Sequence, residues 1–507
     1  GAVAGTVTLS AGDTKITFTP TALLSFDSTY TVTLAGTIRD VSGNALTQHQ
    51  WTFNTGHRVA TGGYHTCVRL DGANNGVVKC WGSNAFGQLG TGDTGSRSDG
   101  IGGPGGIGAG AVDATFPPVD LGSGRTVVDI AAGENFTCAR LDNGDVKCWG
   151  FNADGELGLG DTAHRGDDPN EMGDNLPAVF TAADNIVQLV AGIDFACART
   201  AAGVIKCWGS NEYAQPGQNT DFGTTPFYDQ PQTVNLGAVP AVKGLVSGGR
   251  FTCAHFTTNQ IKCWGGDGFG QLGMGDNLNR GDSANPTTSY GFVDFGARTV
   301  KQMVATSGHA CAILDDDTVK CWGNNWFAQI GREVTNNGAV DRDCSQAEYC
   351  IGDAANETPA QLPVVNLGSA LVPVELGGGD RHTCVRFTNN KVKCWGDNEF
   401  GQLGYGDTTT RGDSAANMGD NLPFVDLGNG GTYVVAELPA GGSNYHSCAT
   451  LDAGVVKCWG RNNKQSDNVL GVPVPTGGGQ LGKGDILARG DGPNEMGNNL
   501  TAIDLSP

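Results

Sequence analysis

Residues 130–158 read IAAGENFTCARLDNGDVKCWGFNADGELG, and the parts of this stretch recur along most of the 507-residue chain. The tripeptide Cys-Trp-Gly occurs seven times, at intervals longer than 50 residues. It begins at Cys80, Cys148, Cys207, Cys263, Cys321, Cys394 and Cys458. Short strands separated by turns at such a period are typical of β-propeller blades and not of solenoid coils. The repeat therefore predicts an all-β fold built from blades.

Each Cys-Trp-Gly follows an earlier cysteine, and in six of the seven pairs the second cysteine lies ten residues after the first. The first cysteines are Cys67, Cys138, Cys197, Cys253, Cys311, Cys384 and Cys448. An antiparallel hairpin with a three-residue loop would place the two cysteines of a pair opposite each other. The third residue of such a loop is left-handed, which glycine, asparagine and aspartate tolerate. The residues at that position are Gly144, Gly203, Asn259, Asp317, Asn390 and Gly454.

These pairs are predicted to be disulfides within the blades, because opposed cysteines in a non-hydrogen-bonded strand pair can bridge. Cys344 and Cys350 lie in the longest gap between repeats and are expected to form an eighth bridge. All 16 cysteines would then be paired, which indicates an oxidising compartment. The alternative is seven buried pairs of free thiols. Zinc and c-type haem are excluded, since no Cys-x-x-Cys spacing occurs.

The composition limits the range of partners. Asp and Glu number 52 against 31 Lys and Arg, for a net charge of −21, and such a surface repels nucleic-acid phosphates. The acidity is explained by solubility or by cation binding. The 81 glycines follow no strict triplet period, so they indicate many tight turns and exclude collagen. No apolar run of about 18 residues occurs, and no membrane span is expected in this segment.

The repeats resemble those of the regulator-of-chromosome-condensation family, in which Ala-Ala-Gly, Cys-Ala-Leu, Cys-Trp-Gly and Gly-Gln-Leu-Gly follow in order. Residues 130–158 match this order, and the resemblance covers residues 57–507. The third repeat departs from it at residues 214–217, which read AQPG, and the seventh carries an insertion over 464–478. The resemblance implies seven blades closed into a ring. The final strand at 503–505 is expected to lie beside the N-terminal blade and to fasten the ring.

Residues 1–56 follow a different pattern, in which apolar and polar residues alternate and predict half-buried strands. The alternating stretches are 16–18, 30–34 and 51–53. The segment resembles the later strands of bacterial immunoglobulin-like domains of surface-layer and adhesin proteins. The resemblance rests on residues 24–30, 40–44 and 52–55. Such domains have about 100 residues, so three arrangements are open: the early strands precede Gly1, the segment packs on its own propeller, or a neighbouring copy supplies the missing strands.

Four of the eight histidines lie two residues before the first cysteine of a blade. They are His65, His309, His382 and His446, and Phe136, Phe195 and Phe251 fill this position in the other blades. A packing position for an aromatic ring explains all seven. No nucleophile elbow, phosphate-binding loop or zinc-protease motif occurs. No catalytic residue is therefore predicted, and the protein is expected not to be an enzyme.

The tripeptide Arg-Gly-Asp recurs at Arg165, Arg280, Arg411 and Arg489, each four residues after an aspartate. These aspartates are Asp161, Asp276, Asp407 and Asp485. Because the tripeptide keeps one place in the repeat, an ion pair within the blade explains it better than integrin binding. The sharper alternative is calcium, since one loop collects Asp161, Asp167, Asp168 and Asp174, and calcium prefers oxygen ligands. Calcium is the cofactor that the sequence suggests.

These features predict a non-enzymatic protein, secreted or held at the cell surface of a bacterium, that binds a protein partner or copies of itself. The immunoglobulin-like segment favours a structural subunit, because strand addition between chains would build a fibre or sheet. The alternative is a soluble inhibitor or adhesin that uses one propeller face. An enzyme with a site on one face is the third hypothesis.

Overall fold

The structure, a computed structural model, describes the backbone of four strands before residue 55 and most of the chain after residue 58. The ranges described with their side chains are 59–70, 76–97, 117–332, 349–428, 433–439, 445–451, 455–462, 479–483, 485–503 and residue 505. The chain divides into two compact units, Gly1–His57 and Arg58–Pro507.

The first unit contains two antiparallel hairpins. They pair β1 (Gly5–Leu9) with β2 (Ile16–Pro20) and β3 (Thr29–Leu34) with β4 (His49–Asn54). The register of the second hairpin places Tyr30 opposite Phe53 and Val32 opposite Trp51. Residues two apart on a strand share a face, so these four positions lie on one face. The expected strands are present, and their expected burial lies outside the described residues.

The second unit contains seven antiparallel sheets, one for each Cys-Trp-Gly, which confirms the seven blades. Every sheet has three strands in chain order, and the third and fifth sheets have a fourth. From blade one to blade seven the strands are β5 (Val59–Thr61), β6 (His65–Arg69), β7 (Val78–Gly82); β8 (Val127–Ala132), β9 (Phe136–Leu141), β10 (Val146–Gly150); β11 (Ile186–Ala191), β12 (Phe195–Thr200), β13 (Ile205–Ser210), β14 (Phe227–Thr233); β15 (Val242–Ser247), β16 (Phe251–Phe256), β17 (Ile261–Gly265); β18 (Val300–Ala305), β19 (His309–Leu314), β20 (Val319–Asn324), β21 (Cys350–Ile351); β22 (Pro373–Gly379), β23 (His382–Phe387), β24 (Val392–Gly396); β25 (Val435–Glu437), β26 (His446–Leu451), β27 (Val456–Gly460).

The cysteines lie in the predicted register. Cys138 is opposite Cys148, the other six hairpins are equivalent, and all seven pairs are disulfides. The loop positions have the expected positive φ, +89° at Gly144 and +63° at Asn259. Cys350 is buried and disulfide-bonded, but Cys344 lies outside the described residues, so their pairing stays a prediction.

The blades are joined through the tryptophans of the seven Cys-Trp-Gly tripeptides, which are all fully buried. In six blades the indole N–H donates to a main-chain carbonyl of the preceding blade. These bonds run from Trp149 to Gln88, Trp208 to Glu156, Trp264 to Gln215, Trp322 to Gln271, Trp459 to Gln402 and Trp81 to Gln480, at 2.7–3.0 Å. The last of them joins blade one to blade seven and so closes the ring.

The final segment, predicted as a strand, has no strand assignment in its described residues, but it is hydrogen-bonded to blade seven and packs against blade one. The Ile503 N–H donates to the Val456 carbonyl at 2.9 Å, as an equivalent valine does in each other blade. The buried Ile503 side chain packs in one cluster with Val59, Val68 and Trp81 of blade one. Ile503 therefore lies at the closure of the ring, as predicted, while its main-chain partner belongs to its own blade.

Candidate functional site

The four histidines before the first cysteines are buried between neighbouring blades. Each Nε2 lies within hydrogen-bond distance of a hydroxyl in the next blade. The pairs are His65 with Thr137, His309 with Thr383, His382 with Ser447 and His446 with Thr66, at 2.7–2.9 Å. Each hydroxyl donates in turn to a main-chain carbonyl, as Thr137 does to Gln88 at 3.1 Å. Because the hydroxyl hydrogen is used in this way, Nε2 must carry a proton and donate.

Burial keeps these imidazoles neutral. Desolvation lowers the pKa of His65 and His382 to about 4 and that of His309 and His446 to about 3. A neutral imidazole whose N–H is already engaged, fully enclosed by protein, is suited to packing and not to proton exchange with a substrate. The predicted packing role of this position is therefore confirmed. The hydroxyl partner of each histidine in the next blade was not predicted.

The arginines of the Arg-Gly-Asp blocks bind the aspartates that precede them, as predicted. The ion pairs are Arg165 with Asp161, Arg280 with Asp276, Arg411 with Asp407 and Arg489 with Asp485, at 2.6–2.8 Å, and blade one has the pair Arg97–Asp93 at 2.7 Å. The guanidinium lowers the pKa of Asp407 to about 2. The arginine side chains are 8–22% exposed, so the tripeptide is not presented as an adhesive tip.

The glycine of the same blocks explains why the tripeptide recurs. The main chain of Arg165 pairs with Gly150 of Cys-Trp-Gly in its own blade, and the equivalent pairing recurs in blades one, four, six and seven. The following glycine lies against the preceding blade, where a Cβ on Gly87 would come within 2.4 Å of the Gly166 carbonyl carbon. A side chain at either glycine would therefore separate two blades.

The four candidate calcium ligands are engaged with protein groups or lie apart. Asp161 binds Arg165, and Asp174 accepts hydrogen bonds from the Ser123 N–H and hydroxyl at 3.1 and 2.8 Å. Those bonds lower the pKa of Asp174. Asp167 is half-buried and Asp168 is exposed. No three acidic, histidine or cysteine side chains converge into a metal-sized cluster among the described residues. Calcium at this loop stays an untested prediction.

One face of the propeller carries charged and aromatic side chains other than the histidines, ion pairs and aspartates described above. We call it the inner-turn face. It consists of the turns between the first and second strands of each blade and the first six residues of the loops that follow the third strands, such as 151–156 and 211–216. The turns of blades one to five are linked by main-chain hydrogen bonds, from the Gly63 N–H to Glu134, from Glu134 to Ile193, from Ile193 to Gly249 and from Gly249 to Thr306, at 2.8–3.1 Å. Side chains on the turns of these five blades are therefore held on a rigid frame.

Blades five, six and seven give this face a sector in which an arginine lies against aromatic rings. The guanidinium of Arg381 lies 4.3 Å from the centre of the Phe327 ring and 5.0 Å from that of Tyr445. Its Nε donates to Asp380 at 3.3 Å, and Nη1 lies 3.9 Å from Asp397. Stacked arginines and aromatic rings are the residues that dominate binding energy at protein interfaces.

Blades two and three give the same face an acidic sector, which we define as Glu134, Asp154, Glu156, Asp194 and Glu212. Desolvation, with a smaller contribution from neighbouring carboxylates, raises the pKa of Glu156 to about 9 and that of Asp194 to about 7. Desolvation and the charge of Glu212 also raise the pKa of Asp154. At neutral pH this sector therefore holds protons on carboxyl groups, a condition that clusters at functional sites.

Sequence reasoning missed this sector, although one signal was present. Glu156 stands where Gln88 and Gln402 stand in the Gly-Gln-Leu-Gly motif of other blades. The Oε2 of Glu156 accepts the Asp154 N–H at 2.9 Å, just as Gln88 Oε1 accepts the Phe86 N–H. A buried acid at an amide position was readable from the repeat alignment alone.

Comparison with known proteins identifies the repeats. The regulator of chromosome condensation (RCC1) repeat model matches residues 57–88, 127–156, 186–215, 300–329 and 374–402, and a second model of this repeat matches 75–140. A bacterial Ig-like domain model matches residues 1–55. The chain therefore carries RCC1 repeats together with a bacterial Ig-like domain. Blades four and seven lie outside the matched segments, yet their strands have the same pairing.

Among curated proteins, the chain is similar to the Ultraviolet-B receptor UVR8 of Arabidopsis thaliana, at 27% identity over 58% of this chain and 69% of the relative. The human RCC1-like G exchanging factor-like protein is 27% identical over 40% of this chain and 42% of its own length. Among solved structures, Prp20p of Saccharomyces cerevisiae aligns with a TM-score of 0.53 at 21% identity, covering 76% of this chain and 80% of that one. This last likeness shows the fold. In the described part of the chain, no helix is long and apolar enough to cross a membrane.

Proposed function

We propose that this chain, a seven-bladed propeller of RCC1 repeats, is a non-enzymatic protein that binds a protein partner through its inner-turn face. The observation that carries the proposal is the concentration of side chains on this face. It combines stacked arginines, aromatic rings and carboxyl groups with raised pKa values, and the turns of five adjacent blades are joined by hydrogen bonds. A rigid frame lowers the entropy lost on binding.

The relatives support binding as the class of function. The structure of Prp20p is described together with its binding to Gsp1p and histones, and UVR8 is a receptor. In this chain the four buried histidines make contacts between blades, and the arginines of the Arg-Gly-Asp blocks form ion pairs within blades. The side chains of the inner-turn face take no part in those contacts.

We also propose that the protein works outside the cytoplasm, as a secreted or cell-surface protein. The seven hairpin disulfides support this location, because such bonds persist in oxidising compartments. The bacterial Ig-like domain model at residues 1–55 is compatible with it. Alkylation of native material without reductant would find no free thiol, whereas several alkylated cysteines would contradict the location.

A second candidate partner is another copy of the chain. In the described strands of the first unit the two hairpins form separate two-stranded sheets. Unpaired strand edges accept further strands, so addition of a strand from a neighbouring chain would link copies into a fibre or sheet. Electron microscopy and size-exclusion chromatography of native material test this. A monodisperse monomer would end the fibre hypothesis.

The binding proposal is tested by reversing charges on the face. Glu212→Lys, Arg250→Glu and Glu399→Lys alter three exposed side chains of the inner-turn face. A control variant reverses the same number of charges of each sign at exposed positions away from it: Asp168→Lys, Asp315→Lys and Lys243→Glu. Extracellular proteins of the source organism would be captured on each form of the full chain. We expect a partner retained by the native chain and the control to be lost by the face variant. Equal capture by both variants would overturn the proposal.

A further inference from the structure

We propose that the acidic sector of the inner-turn face binds a cationic side chain, arginine or lysine, presented by the protein partner. This inference rests on the proposed function, since it names the chemical group that the partner would place on the face.

The first argument is the charge of the sector. Glu134, Asp154, Glu156, Asp194 and Glu212 come from two adjacent blades, and the charges of several of them act on one another. The cation that acts on Asp194 is Arg250 of the next blade, whose guanidinium lies 4.4 Å from the centre of the Tyr213 ring. Around Asp194, the carboxyl groups of Glu134, Asp154 and Glu212 thus act together with one guanidinium, and the sector is complementary to further positive charge.

The second argument is Glu156, which is fully buried beneath the sector. Its Oε2 accepts the Asp154 N–H, while Oε1 has no hydrogen-bond partner among the described residues. The charges of Asp154 and Asp194 act on this carboxyl group, so the group faces the acidic side chains. A buried polar atom without a partner costs free energy unless a ligand satisfies it.

The third argument is that the same face already binds one guanidinium between two carboxyl groups, that of Arg381 in blade six. In blade six, Arg381 is the residue directly before the second strand, and it lies between Asp380 and Asp397 on the Phe327 ring. The equivalent residue of blade three, directly before β12, is Asp194. Blade three therefore places a carboxyl group where blade six places its own arginine, and a cation of the partner would take the place of that arginine.

Binding of a cation would be linked to proton release. The groups that face Asp194 are Glu134, Asp154, Glu212 and Arg250, and burial among these raises its pKa to about 7. A positive charge close to a carboxyl group lowers its pKa. The cation would therefore displace protons from Asp194 and Glu156, and affinity would rise with pH between about 6 and 8.

The test uses a fluorescein-labelled peptide of six arginines as the probe, titrated with the full chain at low ionic strength and followed by anisotropy. Asp154→Asn with Asp194→Asn removes two carboxylates from the sector. Asp120→Asn with Asp168→Asn removes two at exposed positions outside the face. We expect the first pair to weaken binding about ten-fold and the second less than about two-fold. Equal weakening by both would show non-specific attraction and overturn the inference.

A second readout uses pH, and Glu156→Gln is its matched variant because glutamine occupies this position in other blades. The native chain should bind the peptide more tightly at pH 8 than at pH 6, and the variant should lose part of that difference. Binding by the native chain that does not change with pH would contradict the inference. If peptide binding fails these tests while the charge-reversed face still loses its partner, only the cationic group is wrong. If that face keeps the partner, the proposed function itself fails.

Discussion

Replacing Glu156 by glutamine is expected to stabilise the propeller, and the gain is expected to grow as the pH rises. The carboxyl group is fully buried, and desolvation above all raises its pKa from 4.5 to about 9. Below pH 4.5 both the folded and the unfolded chain hold the proton. Between pH 4.5 and 9 the folded chain keeps a proton that the unfolded chain releases, so the free energy of unfolding falls as the pH rises.

The size of the effect follows from the pKa difference, because one pH unit above the unfolded pKa costs about 1.4 kcal/mol. The penalty removed by Glu156→Gln is then about 1 kcal/mol at pH 5, about 3 kcal/mol at pH 7 and about 5 kcal/mol at pH 8. For a unit of this length, 3 kcal/mol corresponds to about 3 °C in Tm. The glutamine keeps the acceptor for the Asp154 N–H, as Gln88 does for Phe86.

The assay is urea unfolding at pH 5, 7 and 8 without reductant, followed by the fluorescence of the buried tryptophans. Gln88→Glu is the reciprocal control, because it introduces the same buried acid into blade one and should lose stability with the same pH dependence. Two results would refute the reasoning: a Glu156→Gln variant no more stable than the native chain at pH 8, or a gain that is equal at pH 5 and pH 8.

Three further predictions follow from the packing of the blades. Burial lowers the pKa of His309 to about 3, so the stabilisation from the neutral imidazole is present above pH 6.5 and is lost as the pH falls. The double variant His309→Phe with Thr383→Ala should reduce the loss of unfolding free energy between pH 7 and pH 5 by about 2 kcal/mol, measured by urea unfolding. Replacing Cys253 and Cys263 by alanine opens a loop with a separation of 10 residues and should cost about 2–3 kcal/mol in the same assay. Ile503→Ala removes a buried side chain at the closure of the ring and should cost about 2–5 kcal/mol, seen as a lower Tm, while an unchanged Tm would count against closure there.

Local spacing in the sequence was enough to predict the hairpins. The ten-residue separation of Cys138 and Cys148, with Gly144 at the left-handed loop position, determines which residues face each other. The ion pair between Arg411 and Asp407 was predictable for the same reason, because the two residues are four apart in one loop. Both features depend on contacts within a single blade.

Contacts between blades were not predictable, because they join residues that belong to different repeats and lie far apart in the sequence. His65 meets Thr137 only once the ring places blade two beside blade one. The acidic sector forms in the same way, since Asp194 and Glu156 come from different blades. Aligning the repeats shows where a blade carries an unusual residue. It does not show which side chain of the adjacent blade that residue will contact, because this follows only from the closed ring.

The histidine–hydroxyl pairs also bear on how seven similar hairpins assemble in one order. A histidine in one blade meets a threonine or serine in the next. At the junctions with phenylalanine, the equivalent position of the next blade is alanine twice, Ala196 for Phe136 and Ala310 for Phe251, and threonine once, Thr252 for Phe195. A blade that docked on the wrong neighbour during folding, or on a blade of a second chain, could bury the histidine N–H against alanine, at a cost of about 1–3 kcal/mol. The junctions thus discriminate against misassembled rings and domain-swapped chains.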